Sequence, residues 1–279
     1  MIAESSLPKV EACKIFEISR SGFYKKTHSP QKDERKLLCA MRKICLEFPR
    51  YGYRRVTKQL QRQGMQVNHK RVLTLMNVHN LLVKTRRTKP KTTDSKHSLQ
   101  RYPNLIETFV LTGINQVWVA DITYVICSKI FLYLALVMDL FSRKIVGWEL
   151  SRNVNTELTI AALSNAVESR GGKVDGCVHH SDHGSQYLSL VYVGRLHELG
   201  MLPSMGEVGN SYDNAFAESL NKTIKNEEVW LNEYETFDQA YKYIAVFVKK
   251  YNEKRLHSSI GYVPPNEYEQ QQLNMAKVL

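Results

Sequence analysis

A chain of 279 residues, 43% of them hydrophobic, is long enough for one sizeable core plus smaller modules, and its cysteines, Cys13, Cys39, Cys45, Cys127 and Cys177, form no C-x-x-C pair. That spacing excludes a disulfide framework and a zinc knuckle. With no run of about 18 apolar residues and no apolar signal core in MIAESSLPKVEACK, the expectation is a cytoplasmic chain without a membrane partner. The net charge of +12 is uneven: residues 1–110 hold 24 Lys+Arg against 8 Asp+Glu, a net of +16, while residues 111–279 hold 15 against 19, a net of −4. A basic module that holds a polyanion and a second module with another task follow from this split.

Residues 8–26, PKVEACKIFEISRSGFYKK, read as helix, turn, helix, with Val10, Cys13 and Phe16 at helical spacing and Ser19 or Ser21 as the cap of a basic second helix. A second pair spans residues 51–82: Val56 and Leu60 form one stripe, Gly64 stops that helix, and Asn68 caps a helix that turns Val72, Leu75 and Met76 inward. Arg54, Arg55, Lys70 and Arg71 then stand at helix starts, where basic side chains reach DNA phosphates. Residues 84–104, KTRRTKPKTTDSKHSLQRYPN, carry too few apolar side chains for a core and read as a basic linker that can lie along DNA. The predicted division is a helix-turn-helix-like segment 1–30, a second helical DNA-binding module 31–83, a basic linker 84–108, and a catalytic core with a C-terminal helical tail 109–279.

From Asn115 the pattern changes to strands. QVWVADITYVIC, KIFLYLALVMDL and RKIVGWEL are β-branched, aromatic or continuously apolar, and short turns join them. A helix follows from Asn155 to Gly171-Gly172, then a short strand CVHHSD, a helix LVYVGRLHEL and a short strand at MLPSM. The order βββαβαβα predicts an α/β fold, a mixed sheet flanked by helices in the ribonuclease-H-like arrangement.

Three acids stand in unusual places. Asp121 interrupts an otherwise apolar strand, where an ionised carboxylate is costly unless paired or metal-bound. Asp182 ends a short strand beside Gly184, which is taken to permit the turn. Glu218 lies on a helix with Phe216, Leu220 and Ile224 as its inward stripe, so Glu218, Asn221, Lys222 and Lys225 share a polar face at i, i+3, i+4 and i+7. Three hard oxygen donors at one cleft suit Mg²⁺, with Mn²⁺ as substitute. Two such ions about 3.5–4 Å apart would serve a phosphodiester displacement. Asp139 is read as a turn residue, Asp213 as a helix N-cap, and Glu227 and Glu228 as lying away from the cleft.

The spacing and the words around these acids resemble a known family. Thirty-five residues separate Asp182 from Glu218, the D,D(35)E signature of retroviral-integrase-like cores. WVADITY, HSDHGSQY, DNAFAESLNKTIKNE and YNEKRLHSSIGYVPPNEYE are similar to the downstream-frame product of bacterial insertion-sequence transposases made from two overlapping reading frames, and YGYRRVTKQL with NHKRVLTLM resembles that group's helix-turn-helix region. The resemblance implies Asp121, Asp182 and Glu218 as catalytic metal ligands and two Mg²⁺ ions per site. It implies Lys225 as a contact to terminal DNA, beside Lys222 and Asn221, and Arg255 and His257 as tail residues touching DNA or the Glu218 helix. It further implies cutting of transposon-end phosphodiesters in double-stranded DNA and joining of the freed 3′-OH to another strand, by a homo-multimer on DNA that associates with the nucleoid. An upstream-frame product or fusion is the implied further partner.

A structure-selective nuclease of the same fold is the alternative, and a non-catalytic DNA-binding regulator leaves the acidic triad without a use. The histidines of VHHSDHGSQY do not form a zinc site, because His179 and His180 point to opposite faces of a strand and no cysteine completes a ligand set. His180 shares its side with Asp182, and Gln186 and Tyr187 are candidate DNA neighbours.

Overall fold

The computed structural model of the protein describes residues 30–83, 102–206 and 215–276. The helix pair expected at 8–26, most of the basic linker and the Asp213 cap lie outside the described residues. The described residues belong to two compact units, one up to Val83 and one from Lys84.

The first unit is helical. Helix α1, Pro30–Glu47, adds an element to the expected pair α2, Tyr53–Arg62, and α3, His69–Val78. Leu37, Met41, Ile44 and Phe48 recur at i, i+4, i+7 and i+11 along α1 and are buried together with Val56, Leu60, Val72, Leu75 and Met76. Gly64, at φ +81°, lets the chain reverse after α2, and the Asn68 side chain accepts the Lys70 N–H at 2.8 Å to cap α3.

The second unit is built on strands β1, Val117–Cys127, β2, Ile130–Asp139, and β3, Ile145–Ser151, followed by helix α4, Thr156–Ser169. Strand β4, Val178–Ser181, the short helix α5, Ser185–Leu188, helix α6, Leu190–Glu198, and strand β5, Leu202–Met205, complete the sheet. Then come α7, Ala215–Ile224, a π-helical turn Lys225–Val229, α8, Phe237–Lys254, and α9, Pro265–Ala276. The strand order is β3-β2-β1-β4-β5, with β1, β2 and β3 antiparallel and β4 and β5 parallel to β1. This is the ribonuclease-H-like sheet, and its central strands are apolar on both sides because helices cover both faces.

Val117, Val119, Leu134 and Leu136 pack on one face with Leu220, Ile224, Ile244 and Phe247. Trp118, Ala120, Ala135 and Val137 pack on the other with Ala162, Leu163, Tyr192 and Leu196. Helix α4 crosses β3 at Gly147, where a Cβ would lie 2.3 Å from the Ala162 carbonyl oxygen, so only glycine permits this approach. No helix among the described residues is long and apolar enough to cross a membrane.

The tail is fixed by polar contacts. Asn252 of α8 brackets the start of edge strand β3, accepting the Ile145 N–H at 3.0 Å and donating to its carbonyl at 2.9 Å. Asp139 does sit in the β2–β3 turn, accepting the Phe141 and Ser142 N–H groups at 3.0 Å each. It is also fully buried and belongs to a network in which Arg170 bonds Glu269 of α9 through both guanidinium nitrogens and approaches Asp139 at 3.5 Å. Lys144 meets the same Glu269 carboxylate at 3.2 Å from a more exposed position. Removing Arg170 would strand two buried carboxylates, so Arg170→Ala should lower stability by about 3–5 kcal/mol in urea unfolding, against less than about 1 kcal/mol for Lys144→Ala. Equal losses would show that the buried network does not hold α9.

Candidate active site

Parallel pairing of β1 with β4 creates the site. The ladder ends at Ala120 opposite Ser181, so Asp121 and Asp182 are the next residues on two strands about 4.8 Å apart and project to the same side. Asp121 is thus not at a strand end, since β1 runs on to Cys127, but it stands where β4 stops covering it. Helix α7 crosses that side and brings Glu218 within electrostatic reach of Asp121.

Each carboxylate has a local holder. Asp121 accepts its neighbour Ile122 N–H at 2.7 Å through Oδ1 and the Asn221 amide at 2.7 Å through Oδ2. Asp182 Oδ1 accepts the Gly184 N–H at 3.0 Å. Gly184 itself has φ −58°, which any residue adopts; the expected conformational need is replaced by a spatial one, because a Cβ there would stand 3.0 Å from Asp182 Oδ1 and 3.2 Å from Gln186 Oε1. Glu218 Oε2 lies 3.3 Å from Lys222 Nζ on an exposed part of the helix.

Burial pushes the Asp121 carboxyl up to about 8, helped by the nearby charges of Asp182 and Glu218 and opposed by its two hydrogen bonds. Tyr187, buried close to both aspartates, has its phenol pushed well up by burial first and then by Tyr192 and the two acids. Lys225 lies with its ammonium 4.0 Å over the Tyr124 ring; burial lowers its pKa while Asp121 raises it.

The hard oxygens of neighbouring carboxyl groups fit a divalent cation of the Mg²⁺ class, whose charge would favour the ionised form of Asp121 that burial disfavours. Among the described residues no three His, Cys, Asp or Glu side chains close into a ready ligand set, with Glu218 turned to Lys222.

Several expected positions fall differently. The inward stripe of α7 is Ala217, Leu220 and Ile224, while Phe216 is 42% exposed beneath the Arg143 guanidinium, 4.5 Å from its ring centre. Asn221 is not on the open polar face but buried against Asp121. Arg255 is 3% exposed and makes a two-point pair with Glu227, at 2.7 Å for each contact, so of the two expected roles the structure places it on the Glu218 helix extension rather than at a DNA-accessible surface. Glu227 is therefore tied to the tail, a link that residue spacing does not announce. His257 is part-exposed and hydrogen-bonded to Ser259 at 2.9 Å.

His180 is buried, with Nδ1 and Ser204 Oγ hydrogen-bonded at 2.9 Å across β4 and β5. His179 meets Tyr192 OH at 3.0 Å on the opposite face, and burial drops its pKa to about 3, keeping the ring neutral. Tyr187 is buried rather than set against DNA, whereas Gln186 is part-exposed and donates to the Val154 carbonyl at 3.4 Å. In the helical unit, Arg54 and Arg55 lie 5.6 Å from the Tyr53 and Tyr51 ring centres, Lys70 is exposed, and Arg71 is 3.9 Å from Glu34.

This constellation can be compared with known proteins. Residues 112–211 and 199–265 match two models described as integrase core domain, and residues 31–89 match an HTH-like domain. The 31 kDa protein of insertion element IS600 from Shigella sonnei is 36% identical over 271 residues, covering 95% of this chain and 99% of that one. The chain belongs to the insertion-sequence transposases with an integrase core. The transposase of IS629 from Shigella sonnei is 39% identical over 78% of this chain and 73% of its own. Transposase InsF of IS3A from Escherichia coli K12 is 30% identical over 94% of this chain and 93% of its own. The HTLV-2 integrase catalytic core domain in complex with magnesium is 16% identical over 56% of this chain and 97% of its own, at a TM-score of 0.42. DNA transposition, the polynucleotidyl-transferase class and DNA binding come with membership of these transposases.

The raised carboxyl has a measurable sign. Asp121 is protonated up to about pH 8 when folded but only to about pH 4 when unfolded, so its contribution to stability is present below about pH 4 and lost as pH rises through about 8. In EDTA the Asp121→Asn variant of the transposase should gain stability over the parent progressively across that window, and Mg²⁺ should narrow the gap. A gap that does not change with pH would refute the raised carboxyl.

Proposed function

We propose that the transposase cuts DNA at the ends of its element and joins the freed 3′-OH to another strand, using Asp121, Asp182 and Glu218 as the oxygen ligands of Mg²⁺, two ions per site. The observation that carries this reading is the side-by-side placement of Asp121 and Asp182 at the end of the β1–β4 ladder, with Glu218 within reach on α7. When bound, the ions supply Lewis-acid stabilisation of the attacking and leaving oxygens.

In the first step a water oxygen forms a bond to the terminal phosphorus and gives up a proton to solvent, while the bond from phosphorus to the 3′ oxygen breaks and that oxygen takes up a proton to become the 3′-OH. In the second step the 3′-OH oxygen forms a bond to a target phosphorus, and a target 3′ oxygen leaves with a proton. The chain's own residues hold the geometry: the Asn221 amide and the Ile122 N–H orient the Asp121 carboxylate, and the Gly184 N–H orients that of Asp182. Lys222 and Lys225 place cations where DNA phosphates approach, and His257 is a further contact at the tail. Arg54, Arg55, Lys70 and Arg71 bind phosphates in the helical unit, supported by the +16 charge of residues 1–110. A homo-multimer on DNA fits this chemistry, since two element ends must meet one target, and an upstream-frame product or fusion is the further partner of this reading.

Changing Asp182 to Asn should reduce Mg²⁺- or Mn²⁺-dependent cleavage and strand transfer on the element's own ends by at least about 100-fold while DNA binding persists. Retained activity would overturn the carboxylate assignment, and a parent enzyme that cleaves without joining would mark a nuclease instead. Neutralising Lys70 to Gln should weaken DNA binding and reduce the slope of log affinity against log salt by about one. An unchanged slope would return Lys70 to a solvated surface.

A further inference from the structure

Beyond Ile224 the Glu218 helix widens instead of ending. Lys225–Val229 is a π-helical turn, and the Trp230 N–H closes on the Lys225 carbonyl at 2.8 Å, a bond spanning five residues. Such a turn is rare because the α-helical alternative is better packed, so it persists where tertiary contacts hold it. Here two acids within the turn supply them. Glu227 accepts Arg255 Nε and Nη2 at 2.7 Å each, and Glu228 accepts the Tyr234 hydroxyl at 3.0 Å and the Asn232 amide at 2.9 Å.

The two ends of the turn face different parts of the molecule. At its start Lys225 stands over Tyr124, three residues along β1 from Asp121, with its ammonium 4.0 Å from the ring centre. At its middle Glu227 is gripped by Arg255, which leaves the C-terminus of α8 and packs its guanidinium 5.1 Å from the Tyr251 ring centre. A flat guanidinium bonded at two points to a carboxylate fixes rotation as well as distance, which an ammonium at the same place does not. A buried ion pair adds little net stability compared with apolar packing, so its distinct contribution is a single geometry.

We propose that Arg255 is a positioning residue: through its two-point pair with Glu227 it locks the π-helical turn and so holds Lys225 on Tyr124, poised to meet the phosphates of the terminal DNA. The proposal rests on the reading of Lys225 as a DNA contact given above. The tail thereby reaches the reacting DNA indirectly, by setting the register of the helix that carries Glu218 and Lys225.

Two readouts separate the clamp from the DNA contact. In the full-length protein, acetic anhydride labelling of Lys225, followed by mass spectrometry, should be slow in the parent and severalfold faster in folded Arg255→Lys and Glu227→Gln, with other lysines unchanged. Strand transfer on pre-cut element ends should fall about tenfold in Arg255→Lys, mainly through a raised KM for the end DNA. The double variant Lys225→Gln with Arg255→Lys should be no worse than Lys225→Gln alone, because both changes remove the same contact. Unchanged Lys225 labelling in both single variants overturns the clamp. Losses that multiply in the double variant show that Arg255 acts elsewhere and also overturn it. A Lys225→Gln variant that transfers strands at the parental rate, with labelling still accelerated by Arg255→Lys, overturns the DNA contact while leaving the clamp in place.

Discussion

The burial of Asp121 beside Asp182 is the constraint around which the rest of the core unit is arranged. Parallel pairing of two central strands leaves no choice about it, because side chains at matched positions of neighbouring parallel strands project to the same side. The surrounding groups then orient those two side chains. A backbone N–H holds one oxygen of Asp121 and an amide the other, a second backbone N–H holds Asp182, and Lys222 and Lys225 belong to the helical run that brings the third acid. Neutral donors orient carboxylates while leaving lone pairs for a metal, whereas a buried arginine at the same place would occupy them. The arginines of this unit that do bury themselves, Arg170 and Arg255, pair with Glu269 and Glu227, both supplied by the C-terminal third of the chain or its junction with α7.

The elements of the core were legible because each carried a strong period. Three apolar strands joined by short turns, a helix starting at Asn155 and a short strand leading to Asp182 all appear in the structure, and Asn68 accepts the N–H group that its predicted cap position requires, as Asn155 also does. The site was legible for a related reason: an acid amid Trp, Val and Ile is costly, so its presence carries information. Asp121 lies in mid-strand at the point where β4 stops, and the length of that neighbouring strand is not written in β1 itself.

What stayed hidden was long-range. Asn221 has a polar side chain at a polar helical position, and only the arrival of α7 over β1 converts it into a buried partner of Asp121. Phe216 shows the reverse case: its helical phase differs from the Ala217, Leu220, Ile224 stripe by one position, which was enough to leave it half-exposed under Arg143. The π-helical turn has no signal of its own, since KNEEV is compatible with an ordinary helix and the contacts the turn makes include Arg255, 28 residues beyond Glu227. Asp139 was correctly a turn residue, yet the turn chemistry says nothing of Glu269 approaching from the far end of the chain.

Charge distribution explains why binding and chemistry need different parts of this transposase. A core stretch of net −4 with a cluster of carboxyl groups in its cleft repels a polyanion. Long-range attraction must therefore come from residues 1–110, whose net +16 acts over about 8 Å at physiological salt. On the proposed reading, short-range acceptance of the scissile phosphate would follow from divalent cations held at the acids, which invert the local sign. A core with a strongly basic cleft would hold DNA at any metal concentration. On the proposed metal-binding reading, a chain that carries an acidic cleft as well as a basic module ties productive engagement of the phosphate to occupancy of the cleft by divalent ions.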